Sequence, residues 1–305
     1  MGTPVIALVG ATAVGKSAVA VALARRIGGE IINADSRQVY RGMAIGTGIP
    51  SEDERSGVPH HLYGISEPDD DFSLGRFLTA AKCAIQDIHE RARTPIVVGG
   101  TGQYVWALLE GWNVPEVAPD PELRQQLMER AEAEGRDTLH EELRRLDPTA
   151  AELIHPNNLI RAMRALEVVR TTGRPFSEQR TQTPPPWDTH IAGVSMEREA
   201  LDVRIEQRVD HQLEAGWVDE VRALLAAGYS PSLSSFRSIG YREIATHIEG
   251  HMPVDEIRQT IISKTRRFAR TQFAWFRADD ERITWVEADE VSERPSEQIQ
   301  ATLGL

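Results

Sequence analysis

The stretch Gly10-Ala11-Thr12-Ala13-Val14-Gly15-Lys16-Ser17 constrains this chain more than any other, because it fits the phosphate-loop pattern at every specified position. An apolar run, residues 4–9, precedes it, and residues 18–25 (Ala-Val-Ala-Val-Ala-Leu-Ala-Arg) read as a helix after it. Strand, loop and helix therefore stand in the order that phosphate binding needs. Gly10 and Gly15 let the backbone turn with its N–H groups inward, and the helix offers the positive end of its dipole. Lys16 adds a full charge, and Ser17 is the candidate Mg²⁺ ligand. Such a loop holds a diphosphate or a triphosphate. Its sequence does not say which molecule carries it.

At 305 residues the chain suffices for one large or two smaller domains with a substantial core. No basic segment precedes the short N-terminal apolar run, and no apolar stretch approaches membrane-spanning length. The expectation is a cytoplasmic protein that does not contact a membrane, acting as a monomer. Cys83, the single cysteine, excludes an internal disulfide and a Cys-rich zinc module, and its setting (Ala80 to Ile85) reads as a helix core position.

The formal charge of −12 argues against a nucleic-acid partner only if charge is spread evenly. Acidic residues concentrate in 52–71 and after Asp279. Residues 258–277 hold Arg258, Lys264, Arg266, Arg267, Arg270 and Arg277 with no acid among them. A second stretch carries Arg161, Arg164, Arg170, Arg174 and Arg180 against Glu167 and Glu178. Two basic faces on an acidic body are expected, each readable as an RNA contact or as a solvated helix face.

In order along the chain, the first helix ends near Gly28, and a second strand delivers Asp35-Ser36-Arg37-Gln38. Residues just past a strand's C-terminal end face the ligand crevice of a parallel sheet, so Asp35 is a carboxylate aimed at the phosphate site or else a helix cap. Gly46-Thr47-Gly48 is too short for a dinucleotide fingerprint. His60 and His61 are adjacent on an extended segment and point apart, which favours packing or hydrogen bonding over a metal site. Residues 72–93 read as a helix. A strand at 95–98 ends in Gly99-Gly100-Thr101-Gly102, where an NTPase would often carry an acidic Mg²⁺ ligand; Thr101 offers a neutral hydroxyl instead. Proline-rich breaks at 115–121 and 184–187 bracket helical patterns at 121–133, 137–146, 149–154 and 159–171. The sheet resumes at 190–195, helices follow at 201–215, 217–226, 239–248 and 254–277, and a last strand covers 282–287. The fold class is α/β: a P-loop NTPase-like parallel sheet core flanked by helices, with an all-helical insertion domain. The expected division is core residues 1–118, insertion 119–188 and core 189–305.

Taken together these motifs resemble one family, the tRNA dimethylallyltransferases, through nearly the whole chain. The resemblance is carried by the phosphate loop, by Asn33 to Tyr40, by Pro59-His60-His61-Leu62 and by Val98 to Tyr104. It continues in Asp120 to Arg124, Ile154 to Asn158, Arg164 to Val168, Arg237 to Arg242 and Gln272 to Arg277. It implies transfer of a dimethylallyl group from dimethylallyl diphosphate to N6 of adenosine 37 beside the anticodon. The loop Gly10 to Ser17 would hold the diphosphate, with Mg²⁺ at Ser17 and Lys16 stabilising charge as the C1–O bond breaks. Asp35 would be the general base on N6, and Thr101 would position the reacting groups. Arg208, with Arg204, would reach the diphosphate. The tRNA contacts implied are Asp35, Ser36, Arg37, Gln38, Arg124, Ile160, Arg161, Ala162, Met163, Arg164, Arg237, Gly240, Tyr241, Arg242, Arg270, Gln272 and Arg277. Three positions depart from the family pattern: Ala11 replaces a usual proline, Ile49 a lysine near the site, and Ile160 a glutamine before Arg161. A P-loop kinase of a nucleoside or small metabolite is the alternative and predicts ATP as donor. A non-catalytic RNA-binding protein would leave the phosphate loop and Asp35 without purpose.

Overall fold

The computed structural model describes residues 4–115, 117–135, 137–179, 181–288 and 294–303. The fold divides into two compact units, residues 1–109 with 186–305, and Glu110–Pro185.

The larger unit is built on six parallel strands: β1 (Pro4–Val9), β2 (Gly29–Asn33), β3 (His60–His61), β4 (Thr94–Val98), β5 (Asp188–Ser195) and β6 (Ile283–Glu287). Their order across the sheet is β3-β2-β4-β1-β5-β6. Val5 to Val9 of β1 are fully buried, as expected of a strand covered on both faces, which explains an apolar run without alternation. Ile6 pairs with Ile96 of β4 on one side and His190 of β5 on the other. The chain turns to one side of β1 for β2 and β4 and to the other for β5 and β6, so the loop after β1 opens at the topological switch point. Edge strand β3 fixes the two histidines: His61 Nε2 meets the buried Glu30 carboxylate at 2.7 Å, and His60 Nδ1 meets the Val58 carbonyl at 2.8 Å. Both are hydrogen-bonded within the fold, as the extended-segment argument anticipates.

Helix Lys16–Ile27 buries Ala20, Val21, Leu23 and Ala24 and stops at Gly28 in the left-handed conformation (φ 68°). Helix Leu74–Glu90 is capped by Ser73 and buries Phe77, Leu78, Ala81, Ile85 and Ile88. That face excludes Cys83, which is exposed; the core position expected for it is corrected by the helical phase. Helix Val254–Gln272 ends five residues before the expected Arg277. The Trp275 carbonyl is taken by the Trp106 indole N–H at 2.9 Å, and Arg277 turns back to pair with Asp279. No helix among the described residues is long and apolar enough to cross a membrane.

The smaller unit contains helices Pro121–Glu134, Asp137–Leu146, Pro148–Leu153, Leu159–Thr172 and Phe176–Gln179. Asp120, Asp147 and Asn158 cap the first, third and fourth of these through their side chains, two of them ahead of a proline at the first helical position. Leu127, Leu139, Leu143, Ile154 and Leu166 form the centre of its core. Among the described residues this unit holds no strand; one antiparallel bridge, Trp112 with Gln182, joins its ends. Arg180 lies outside the described residues.

Glu167, fully buried, binds this unit together by accepting from the Asp120 amide (2.8 Å), from Arg124 (2.9 and 3.1 Å) and from Arg164. Burial opposes its ionisation, but the Arg124, Asp120 and Arg164 hydrogen bonds outweigh burial and hold the carboxyl below its usual range. The stabilisation is therefore complete above the ordinary glutamate range and is lost as pH falls through the lower folded value. Glu167→Gln should cost this unit about 3 kcal/mol at neutral pH, read as faster amide exchange across helix Leu159–Thr172 in the full chain.

Candidate active site

The loop after β1 and the ends of β2 and β4 converge on a cavity of about 980 Å³. Its wall includes Lys16 and Ser17 from the phosphate loop, Asp35 from the end of β2, Gly99 and Gly100 from the end of β4, and Arg204 and Arg208 from helix Arg198–Glu214. Gly15 is the N-cap of helix Lys16–Ile27 with φ 94°, a left-handed geometry that disfavours a side chain. No side chain caps this helix, and its first turn carries no acid, so its leading N–H groups remain for an anion. Ala13 shares the left-handed region (φ 67°), which marks the loop as locally strained.

Lys16 donates to the Ala11 carbonyl at 2.5 Å. Desolvation lowers its ammonium to about 8; Asp35 opposes the shift, and Arg208 adds to it. Burial likewise lowers the Arg208 guanidinium, with Asp35 and Glu54 opposing and Arg204 adding. The cavity thus holds cations against their preference, with Asp35 as a shared counter-charge. Asn33 fixes that carboxylate's backbone: its Oδ1 accepts from Asp35 N–H at 2.8 Å, and its Nδ2 donates to the Asp35 and Leu62 carbonyls. Asp35 Oδ1 accepts from Arg37 N–H at 2.8 Å, a local turn of the kind Asp favours. One carboxylate oxygen is spent on the turn, and the other is not. Thr101 Oγ1 accepts from Ser36 N–H at 3.0 Å and so ties the end of β4 to the Asp35 loop. Burial, then the Asp35 charge, push the Tyr63 hydroxyl far above its ordinary value, so it stays protonated in this wall.

Family models bear on this geometry. The IPP transferase model matches residues 38–279, and the isopentenyl transferase model matches residues 3–63. The tRNA dimethylallyltransferase of Thermomicrobium roseum is 48% identical over 274 residues, covering 90% of this chain and 83% of that protein. That of Geobacter metallireducens is 47% identical over 288 residues, covering 93% of each. The chain belongs to the tRNA dimethylallyltransferase family. Solved structures agree. The full-length tRNA isopentenylpyrophosphate transferase of Bacillus halodurans superposes with a TM-score of 0.72 at 38% identity, covering 100% of this chain and 96% of that one. A eukaryotic dimethylallyltransferase acting on tRNA gives a TM-score of 0.81 at 27% identity, covering 99% of this chain and 78% of that one.

Within this tRNA dimethylallyltransferase fold the residues expected to touch RNA divide sharply. Arg237, Arg242 and Arg270 are exposed, and Arg37 is half-buried with its guanidinium on the Ser234 carbonyl. Ile160, at 62%, and Arg161 are exposed on helix Leu159–Thr172. Ala162 and Met163 instead face that unit's core, and Arg124 and Arg164 are engaged by Glu167. Gly240 and Tyr241 are buried, the latter with its hydroxyl on Glu220. Gln272, at 2% exposure, lines the cavity, accepts from Thr12 N–H (2.7 Å) and donates to the Gly100 carbonyl (2.8 Å), bracing the phosphate loop. The basic run 258–277 is largely neutralised by acids, three of them on other helices and one two residues beyond Arg277. Arg258 pairs with Asp210, Lys264 with Glu243, Arg266 with Glu206, and Arg277 with Asp279. Sequence reasoning missed Tyr63 and His211 in the cavity wall. The spacing Arg204, Arg208, His211 is the available signal, one face of a helix at i, i+4, i+7. Ile49, which stands where a lysine is usual, also lines the cavity.

Because Lys16 loses its proton near pH 8 in the free protein, binding a diphosphate above that pH must take a proton up. Diphosphate affinity measured by calorimetry should fall as pH rises past about 8, and Lys16→Arg should remove that dependence over the same range.

Proposed function

We propose that this chain transfers a dimethylallyl group from dimethylallyl diphosphate to N6 of adenosine 37 in the anticodon loop of tRNA. The observation that carries the reading is the meeting of Lys16, Arg208 and Asp35 in one cavity, a place for an anionic leaving group beside a place for a proton acceptor. The loop from Gly10 to Ser17 takes the diphosphate, and Lys16 and Arg208 stabilise the charge that grows on it as the C1–O bond breaks. The adenine leaves the loop stack, at a cost of roughly a few kcal/mol, and enters beside Asp35. N6 bonds to C1, its proton passes to Asp35, and diphosphate departs; Thr101 orients the Asp35 loop through Ser36. Released products are the N6-dimethylallyl adenosine, diphosphate and one proton, so atoms and charge balance.

The fit of Mg²⁺ rests on Ser17. Among the described residues no cluster of three or more His, Cys, Asp or Glu is able to hold a metal by itself. Among the described residues the Ser17 hydroxyl has no hydrogen-bond partner, and it lines the cavity as a hard oxygen donor that diphosphate oxygens would complete. Bound there, the ion would supply positive charge to the leaving diphosphate. The helical unit Glu110–Pro185 we assign to the anticodon stem-loop, with exposed Ile160 and Arg161 as contacts. In the core, Arg37, Arg237, Arg242 and Arg270 serve the same RNA. We assign the reaction to the cytoplasm on the strength of its tRNA substrate.

Asp35→Asn should lower single-turnover transfer to an anticodon stem-loop by about 10²–10⁴-fold, the range of general base catalysis, while binding of stem-loop and diphosphate persists. Unchanged transfer with both substrates still bound would contradict the role given to Asp35.

A further inference from the structure

Gly46-Thr47-Gly48, too short to carry a motif, belongs to a turn that walls the cavity, and the backbone of that turn is held from several sides. Glu220, on helix Trp217–Ala226, accepts the Ile45 N–H at Oε2 (2.7 Å) and the Gly46 N–H at Oε1 (3.1 Å). The Tyr241 hydroxyl donates to the same Oε1 at 2.7 Å. Gln212 donates to the Ile45 and Gly46 carbonyls at 2.6 and 3.2 Å. Gln38 donates to the Thr47 and Gly48 carbonyls at 3.0 and 2.8 Å, and Arg208 to the Thr47 carbonyl at 3.3 Å. A Cβ on Gly46 would lie 2.0 Å from the Trp217 indole nitrogen, so the turn is seated against a fully buried ring. Burial and the Glu220 charge push the Tyr241 hydroxyl well above its usual range, which keeps it a donor to Glu220.

Glu220 itself is not part of the cavity wall. Each hold on the far side of the turn belongs to the site: Arg208 is a cation of the diphosphate pocket, and Gln38 sits three residues after Asp35. We propose that Glu220 is a positioning residue for the diphosphate subsite. By satisfying the two leading amides of the 44–48 turn, it keeps the Thr47 and Gly48 carbonyls where Arg208 and Gln38 rest on them. Without it those amides lose a charged acceptor and the turn shifts, carrying the resting point of Arg208 with it. The consequence falls on binding of the prenyl donor rather than on proton removal, because Asp35 is held independently by Asn33 and Thr101 by Ser36.

This inference rests on the prenyl-transfer reading above. The test is steady-state kinetics of the full chain with dimethylallyl diphosphate, an anticodon stem-loop and Mg²⁺, comparing wild type, Glu220→Gln, Gln212→Leu and the double variant, each with its melting midpoint. Loss of one charged hydrogen-bond partner predicts that Glu220→Gln raises KM for the prenyl donor at least about tenfold and lowers kcat through the same displaced Arg208, with KM for the stem-loop little changed. Gln212→Leu should move the same constant, and the double variant should fall short of the product of the two, because both act through one turn. If Glu220→Gln fails to fold, the Gln212→Leu shift alone must still appear in KM for the donor. A wild-type chain that transfers no prenyl group would remove the underlying reading. A transferring wild type whose variants change only kcat, or change nothing, or multiply independently, would overturn the role of Glu220.

Discussion

Crowded positive charge in a shielded pocket is the constraint on which the site depends. Lys16 and Arg208 both suffer from desolvation, Arg208 further lowers Lys16, Arg204 further lowers Arg208, and Asp35 alone among the groups around them supports both. Such an arrangement is unfavourable in the empty protein and becomes favourable only when an anion arrives, which is how a preorganised site stores binding energy for a diphosphate. The parallel sheet makes the arrangement possible by ending β1, β2 and β4 at one edge. Loop cation, base and glycine-rich rim are thereby placed together without long excursions of the chain.

The parts of that edge are joined by buried amides and carboxylates rather than by the apolar core alone. Gln272 joins the end of a helix to Thr12 and Gly100, so the phosphate loop is tied across the cavity floor to the rim after β4. Thr101 does the same between β4 and the Asp35 loop through Ser36. Each tie spans a long sequence separation, and each leaves a reacting group with one orientation. Rigidity at this level is what a reaction between a weak amine nucleophile and an allylic diphosphate requires, since the encounter geometry must be set before the bond breaks.

Local chemistry was legible in the sequence. The strand–loop–helix order, the stop at Gly28 and the carboxylate after β2 all follow from residue types within a few positions. Pairings between distant segments were not legible. The run from Arg258 to Arg277 reads as an unopposed basic face, because its acidic partners Asp210, Glu206 and Glu243 sit on other helices. Gln272 enters the sequence reading only as a tRNA contact implied by the resemblance, because its hydrogen bonds to Thr12 and Gly100 join segments far apart in the chain. Cys83 reads as core from its alanine neighbours, although the burial phase set by Phe77, Ala81 and Ile85 passes it by. Tyr63 and Glu220 carry no local signal, since what they touch is determined only once the sheet and its helices are assembled.

The central claim is that the phosphate loop here serves a prenyl diphosphate and not a phosphoryl donor. Its most direct test is to incubate the full chain and Mg²⁺ with an anticodon stem-loop bearing adenine at position 37, offering dimethylallyl diphosphate or ATP in separate reactions, and to weigh the RNA by mass spectrometry. The account predicts a gain of one C₅H₈ unit on the adenine with the prenyl donor and none with ATP. No gain on any such loop, together with ATP-dependent phosphorylation of a small molecule, would contradict it and return the site to the kinases.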